Sequence, residues 1–305
     1  MNGTVREAVK QLADSRHLNF SFGPKSGRIR RPRLARGNIG VTVAAVFLAV
    51  IVLGAALAPL IAPYDPAAID LAQPSAGSST LHLLGTDALG RDTLSRLLWG
   101  ARIALLGPAI LVIAAAVTGA VVGIAAAWIG GIFDAIVSRA VDVVFAFPAL
   151  IIALIVITLT GPGLIAAILS LLPGYAAFIA RVVRSVAIRE RNLPYIKACR
   201  TQGQSGFRIC FRHLFPNLFP VILTQSVASL GYALMDLAAL SFLGVGVQGS
   251  TPDWGAMLAE AQSSVAKGHS GELVVVGLIF VATVVALNVP SDRAVMRREL
   301  RRAGR

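Results

Sequence analysis

One carboxylate, Asp236, interrupts the otherwise uncharged run Leu218–Gln248. A carboxylate at membrane depth is costly and usually faces a cavity or a partner. Asp236 therefore marks either a translocation path or charge relay, or a structural pair or subunit interface. A second group of ionisable residues is packed into His82-Leu-Leu-Gly-Thr-Asp-Ala-Leu-Gly-Arg-Asp-Thr-Leu-Ser-Arg96. Gly85 and Gly90 allow tight backbone geometry there. Asp92 and Arg96 stand i,i+4 with the acid first, the better order for a helical ion pair. That spacing predicts a turn leading into an interfacial helix and then a span, with a substrate contact as the alternative. His82 has no second metal ligand at compatible local spacing. The sequence contains no Gly-x-x-x-x-Gly-Lys-Ser/Thr phosphate loop, no His-Glu-x-x-His, no Cys-x-x-Cys and no Gly-x-Ser-x-Gly. The expected chemistry is non-covalent, with no cofactor or metal in the chain itself, and energy for work must be borrowed.

The elements that must position these groups are membrane helices. Of 305 residues, 56% are hydrophobic and 14% charged, with a mean hydropathy of +0.74. An ordinary soluble domain carries about 25% charged residues, so a coiled coil, a disordered tail and almost any water-soluble globule are excluded. A helix needs about 20 mostly apolar residues to cross a bilayer. The apolar runs predict six such helices, at about 40–62, 103–128, 140–160, 164–184, 217–245 and 273–290. The long run Val143–Ala180 holds two of them, turned at Gly161-Pro162-Gly163, and Pro148 predicts a kink in the first. The runs are apolar all round, as buried or lipid-facing helices are, and lack the alternation of barrel strands. The fold class is all-α, a polytopic membrane protein. The 38 residues before the first span exceed the charged region of a cleaved signal peptide.

Orientation follows from where the basic residues fall. The formal charge is +13, yet 23 of the 28 Lys and Arg lie in residues 1–38, 181–213 and 291–305. With six helices those segments share one side, expected to be the cytoplasm. The layout is then a basic N-terminal segment 1–38, a first helix 39–62, an extracytoplasmic segment 63–101, a core 102–290 and a basic tail 291–305. Six Lys or Arg in Lys25–Arg36 suit anionic lipid headgroups, and Val5, Val9 and Leu12 could place a surface helix before them. No aromatic-interleaved groove supports nucleic-acid binding. Trp99, Trp128 and Trp254 fall near expected membrane interfaces. Cys199 and Cys210 lie on the cytoplasmic side and should stay reduced. Arg139 and Asp142 are expected to pair locally.

The segment Arg181–Pro216 is the informative basic loop. Pro194 suits the first turn of a short helix and Gly203 its end. A second helix from about Ser205 to Leu214 would put Phe207, Cys210, Phe211 and Leu214 on one apolar face, suited to the membrane surface or to a partner.

Together these loops resemble the second (C-type) inner-membrane permease subunit of ABC importers for dipeptides and oligopeptides. The resemblance rests on His82, Leu84, Gly85-Thr86-Asp87, Gly90-Arg91-Asp92, Ser95-Arg96, Gly100 and Arg102 before the second span. It continues in Tyr195-Ile196, Ala198, Gly203, Ile209, Arg212-His213 and Pro216-Asn217, then in Leu240–Gln248 and Thr251-Pro-Asp-Trp-Gly255. It covers about residues 39–290. It implies that the loop at about 186–216 carries a coupling helix against an ATPase, with Tyr195, Ile196, Lys197, Ala198, Cys199, Arg200 and Gly203 as the coupling residues. It also implies a homologous second permease, two ATPase domains that bind ATP and magnesium, and an extracytoplasmic substrate-binding protein. Lys197 stands where the family usually has Glu, and Cys199 where a second small Ala is usual. Asn288-Val-Pro-Ser-Asp292 matches the family's Gly-Asp ending only loosely. Within the class, nickel or another small solute is the alternative cargo. Rivals from other classes are a membrane anchor and a stand-alone proton-coupled carrier using Asp236. The carrier would require paired broken helices and several buried ionisable groups, and the sequence offers one such group.

Overall fold

Charge-free runs fold as helices wherever proline and glycine permit. The structure, a computed structural model, describes residues 37–247, 250–266 and 268–303. Most of the basic segment 1–38, with Val5, Val9 and Leu12, lies outside them, as do Gln248, Gly249 and Lys267. The order is α1 (Gly37–Ile61), α2 (Thr93–Ile129), α3 (Gly131–Ala146), α4 (Ala149–Thr160), α5 (Leu164–Arg191), α6 (Pro194–Thr201), α7 (Gly206–Ile209), α8 (Phe215–Phe242), α9 (Trp254–Val265) and α10 (Gly271–Ala303). A π-helical turn, Cys210–Leu214, joins α7 to α8. The described residues contain no strand, only an isolated bridge between Thr86 and Asp92.

Five stretches are long and apolar enough to cross a bilayer: α1, α2, α5, the continuous run Gly206–Phe242, and Gly271–Val289 within α10. The expected helix 140–160 is broken rather than kinked, for α3 and α4 meet at 88°. Phe147 adopts φ −114° and ψ 141°, the extended conformation favoured before proline. Neither helix can run through that point. Asp134, in the first turn of α3, is paired with Arg184 towards the end of α5. At the other end, α4 closes into the Gly161–Gly163 turn that starts α5. The bent pair thus accompanies α5 along its length and makes a sixth crossing when counted as one. The interfacial helix expected before the second span is also absorbed, because α2 runs unbroken for 37 residues.

The centre of the bundle is a seam of small residues between α2 and α5. A Cβ on Gly119 would lie 2.6 Å from the Ala176 carbonyl oxygen, and one on Gly123 would lie 2.7 Å from that of Ala180. Backbones approach this closely only where side chains are absent, the small-xxx-small packing of membrane helices. Ala115, Ala120, Ile179, Val183 and Leu218 close the seam. Replacing Gly123 with Val is expected to cost about 1–3 kcal/mol of overpacking, read as a lower unfolding midpoint in detergent. Gly174→Ala, where a Cβ meets nothing within 4 Å, should leave that midpoint unchanged or raised.

Residues 62–92 form no helix and lie against the starts of α2 and α10. The Thr86 hydroxyl donates to the Gln73 carbonyl at 2.6 Å and accepts the Ala76 N–H at 2.8 Å. Gly90 turns with φ +77°, and a Cβ there would run into the Asp70 carbonyl. After α8, the chain re-enters the bundle at Asp253. Its side chain accepts the Ala256 N–H to cap α9, and burial pushes its carboxyl above the usual range against the opposing Ser241 hydroxyl. Trp254, expected at a membrane interface, is instead 1% exposed. Its indole N–H donates to the Leu97 carbonyl at 3.0 Å, over the surface that Gly100 leaves open. A buried indole needs such a partner.

Candidate functional site

The ionisable residues of the 82–96 segment converge on one buried node. Asp87, with a side chain 0% exposed, accepts Arg91 Nε at 2.6 Å and also Arg96 Nη1 on its Oδ2. Its Oδ1 accepts the N–H groups of Leu89 and Arg91 at 2.8 and 2.9 Å. Both guanidiniums continue to Glu260 of α9, at 2.7 Å from Arg91 and 2.8 Å from Arg96. The expected Asp92–Arg96 pair is absent. Asp92 sits outside the helix as its N-cap, with φ −67° and ψ 118°. It accepts the Ser95 N–H at 2.8 Å and hydroxyl at 2.7 Å, as N-caps do. Its other oxygen meets His82 Nδ1 at 2.9 Å, so His82 buttresses the cap. Gly85, Thr86 and Gly90 shape the turns around this node.

Asp236 accepts the Tyr175 hydroxyl at 2.8 Å, linking α8 to α5. Tyr175 also lines a cleft of about 540 Å³ where the α3–α4 break opens the bundle, together with Phe147, Phe178, Gln225, Ser229 and Tyr232. Asp236 stands behind that wall rather than on it. The expected Arg139–Asp142 pair is not formed. Asp142 instead meets Arg181 of α5 at 2.6 Å, and Arg181 stacks over Phe145 at 4.5 Å. Arg139 is exposed.

The short helix α6 begins with Pro194 and stops before Gly203, whose φ is +74°. Ile196, fully buried, is its anchor, whereas Lys197, Ala198 and Arg200 are exposed and Cys199 is half-buried. The Tyr195 hydroxyl donates to Glu190 at 2.6 Å and accepts Asn217 Nδ2 at 2.8 Å, tying α6 to the end of α5 and the start of α8. Burial and the bond to Glu190 push the Tyr195 phenol up to about 12, so it remains a donor. A second tie reaches α2. Arg200 lies over the Trp128 ring at 4.3 Å, and Arg191 Nη1 donates to the carbonyls of Ala127 and Trp128. Gly206 rests against the same indole, 2.7 Å from where a Cβ would be.

The apolar face expected over 205–214 is divided. Ile209 and Leu214 point inward and are fully buried, whereas Phe207 is 82% and Phe211 69% exposed. The π turn sets this division. Pro216 has no N–H and its ring crowds the carbonyl of Arg212, and the Phe215 N–H instead reaches Cys210 five residues back. Phe207, Phe211, Phe215 and Phe219 then form one row outside, with stacked rings from Phe207 to Phe215 and a tilted ring at Phe219. Several residues of these sites were not marked by the sequence reading: Glu260, Glu272, Tyr175, Arg191 and Trp128 as partners. For Glu260 and Glu272 the available signal was the local excess of acids over bases in 246–272.

Long apolar helices, a broken crossing, a packed polar cap and a short presented helix define a polytopic membrane protein. Residues 119–298 match the family described as binding-protein-dependent transport system inner membrane component, and residues 36–77 match the N-terminal transmembrane domain of oligopeptide transport permease C. The chain belongs to the first of these families, whose members are non-catalytic membrane subunits of transporters. It is 31% identical to the dipeptide transport system permease protein DppC of Haemophilus influenzae, over 90% of this chain and 94% of that one. The di/tripeptide transport system permease protein DppC of Pseudomonas aeruginosa is 35% identical, over 84% of this chain and 86% of its own. The dipeptide transport system permease protein DppC of Escherichia coli strain K12 is 37% identical, over 84% and 87%.

Proposed function

We propose that this chain forms half of the translocation path of an ATP-driven importer for di- and oligopeptides. The observation that carries the substrate class is the run of peptide-permease relatives matched over most of both chains. The other half is a homologous permease. Two ATPase domains hold ATP and magnesium, and a substrate-binding protein docks on the extracytoplasmic face. Residues 1–38, 181–213 and 291–305 face the cytoplasm together, which needs an even number of crossings between each pair. The end-to-end course of α3–α4 beside α5 supports that count.

Alternating access is a two-state shift that ATP must bias from outside this chain. α6 is suited to receive that bias. It presents Lys197 and Ala198, and it is fastened to α5 and α8 through Tyr195 and to α2 through Arg200 and Trp128. Movement of α6 is thus delivered to three spans at once. Lys197 calls for an acidic or neutral counterpart on the ATPase surface. The Tyr175–Asp236 pair beside the cleft fixes the separation of α5 and α8 in the state seen here.

The test is co-purification of the tagged chain followed by uptake in vesicles. The expected result is a complex containing ATPase subunits and ATP-dependent accumulation of a radiolabelled dipeptide. Nickel uptake without peptide uptake would transfer the cargo to a metal. Uptake driven by a proton gradient without any ATPase would overturn the proposal.

A further inference from the structure

Four polar residues of α8, Gln225, Ser229, Tyr232 and Asp236, follow one another at intervals of four, three and four, so they share one helix face. Gln225 and Tyr232 each stand about 15 Å from the nearer end of α8, well inside a bilayer core about 30 Å thick. Among the described residues, neither the Gln225 amide nor the Tyr232 hydroxyl has a partner within the chain, and Tyr232 is 64% exposed. Hydrocarbon cannot satisfy such groups, so turning them towards lipid would be costly. The exposed face of α1, by contrast, consists of Val43, Val46, Val50, Leu53 and Leu57, which lipid accepts. The α8 stripe therefore calls for water or a polar solute.

Gln225, Ser229 and Tyr232 line the cleft of about 540 Å³ together with Tyr175 of α5. Ser170 lies on the same wall, but its hydroxyl is turned to the Ala167 carbonyl of its own helix. The Ser229 hydroxyl donates to the Gln225 carbonyl at 2.9 Å, and the Tyr175 hydroxyl donates to Asp236 at 2.8 Å. With its only proton committed, the Tyr175 oxygen offers the cleft lone pairs alone. Among the described residues Asp236 belongs to no ion pair, so the charge behind that oxygen is uncompensated within the chain. One oxygen is no metal shell, yet it suffices for an N–H donor that brings a positive charge. We propose, building on this chain's being half of a translocation path, that Gln225, Ser229, Tyr232 and Tyr175 form its wet wall, and that the Tyr175 oxygen, held by Asp236, accepts the ammonium group of a passing peptide. Gln225, Ser229 and Tyr232 meet the amide groups that follow. Asp236 acts here as a positioning residue, through Tyr175.

The assembled complex in nanodiscs, with Cys199 and Cys210 changed to Ala, tests this through single cysteines. Gln225→Cys and Tyr232→Cys are expected to react with membrane-impermeant thiosulfonates at least about tenfold faster than Val50→Cys on the lipid face, because only a wetted thiol ionises. At Tyr232→Cys an ammonium-bearing reagent should outpace a sulfonate-bearing one, by a ratio that falls at least about threefold when Asp236→Asn is added. If one cysteine variant fails to assemble, the other carries the measurement. Should Asp236→Asn fail to assemble, excess dipeptide should slow the Tyr232→Cys reaction more than its N-acetylated form does. Labelling no faster than at Val50→Cys overturns the proposal, since the stripe is then sealed against lipid or the second permease. A reagent ratio untouched by Asp236→Asn, or equal slowing by the two peptides where that comparison stands in, overturns the ammonium assignment. Labelling does not depend on uptake. A complex that labels as expected but takes up no peptide counts against the peptide reading, and one that takes up peptide without labelling counts against the wet wall.

Discussion

Asp87→Asn is expected to be the most destabilising single substitution outside the helix seams. Asp87 gathers two guanidiniums and two backbone N–H groups, and its side chain is wholly buried. Asparagine keeps the shape but leaves Arg91 and Arg96, themselves almost buried, with one carboxylate between them. Removing one partner of a buried ion pair costs about 3–5 kcal/mol, because the remaining charge stays desolvated. The loss should appear in denaturant unfolding of the purified chain and as poor accumulation in membranes. Asp65→Asn is the control. Its carboxylate accepts only the Ala67 N–H at an exposed turn, and about 1 kcal/mol or less is expected there. Equal losses in the two variants would show that the buried node does not hold the fold.

Trp128→Ala is expected to separate ATP use from transport. The indole carries Arg200 on its face and Gly206 against its edge, while the backbone carbonyl that accepts Arg191 survives the substitution. A truncated side chain removes the surface that passes a push on α6 to α2. In the assembled complex, peptide uptake should fall by an order of magnitude or more, equivalent to about 1.4 kcal/mol or above. Basal ATP hydrolysis should stay within about twofold, while its stimulation by loaded binding protein is lost. Arg200→Lys keeps a cation over the ring, a contact worth about 0.5–1 kcal/mol at an exposed site, and should retain most uptake. A parallel collapse of hydrolysis, uptake and unfolding midpoint would assign Trp128 to folding alone.

The spans were legible because a bilayer demands some 20 apolar residues in a row, a constraint the runs Ile39–Ala62 and Ile103–Ile132 meet without any tertiary information. Pro194 and Gly203 likewise announced α6 through backbone chemistry that acts locally. Legibility failed where a residue's role depends on which side of a helix boundary it falls. Asp92 and Arg96 have helical spacing, but Asp92 lies one residue outside α2, and its carboxylate turns back to cap the helix. Arg96 is thereby released to Asp87 and Glu260. Trp254 read as an interfacial aromatic because its distance along the chain from a span is short. Only the packing of α9 against α2 shows that it is core. Glu260 meets Arg91 across 169 residues, a pairing no local pattern encodes. Pro148 announced an interruption, but nothing local encodes the 88° angle or the pairing of α3 to α5 through Asp134 and Asp142.

The π turn at Cys210–Leu214 sets the chain length between α6 and the span it feeds. Each residue in an α-helix advances about 100° around the axis. Deleting one residue there would leave Pro216 in place to keep the turn wide, so everything upstream would swing by about that angle. Ile209 would leave the core, and the aromatic row would turn away from its present side. Side-chain identity on the outer face can drift, but the number of residues from Gly203 to Pro216 cannot. Insertions and deletions in this segment should therefore be far rarer than substitutions.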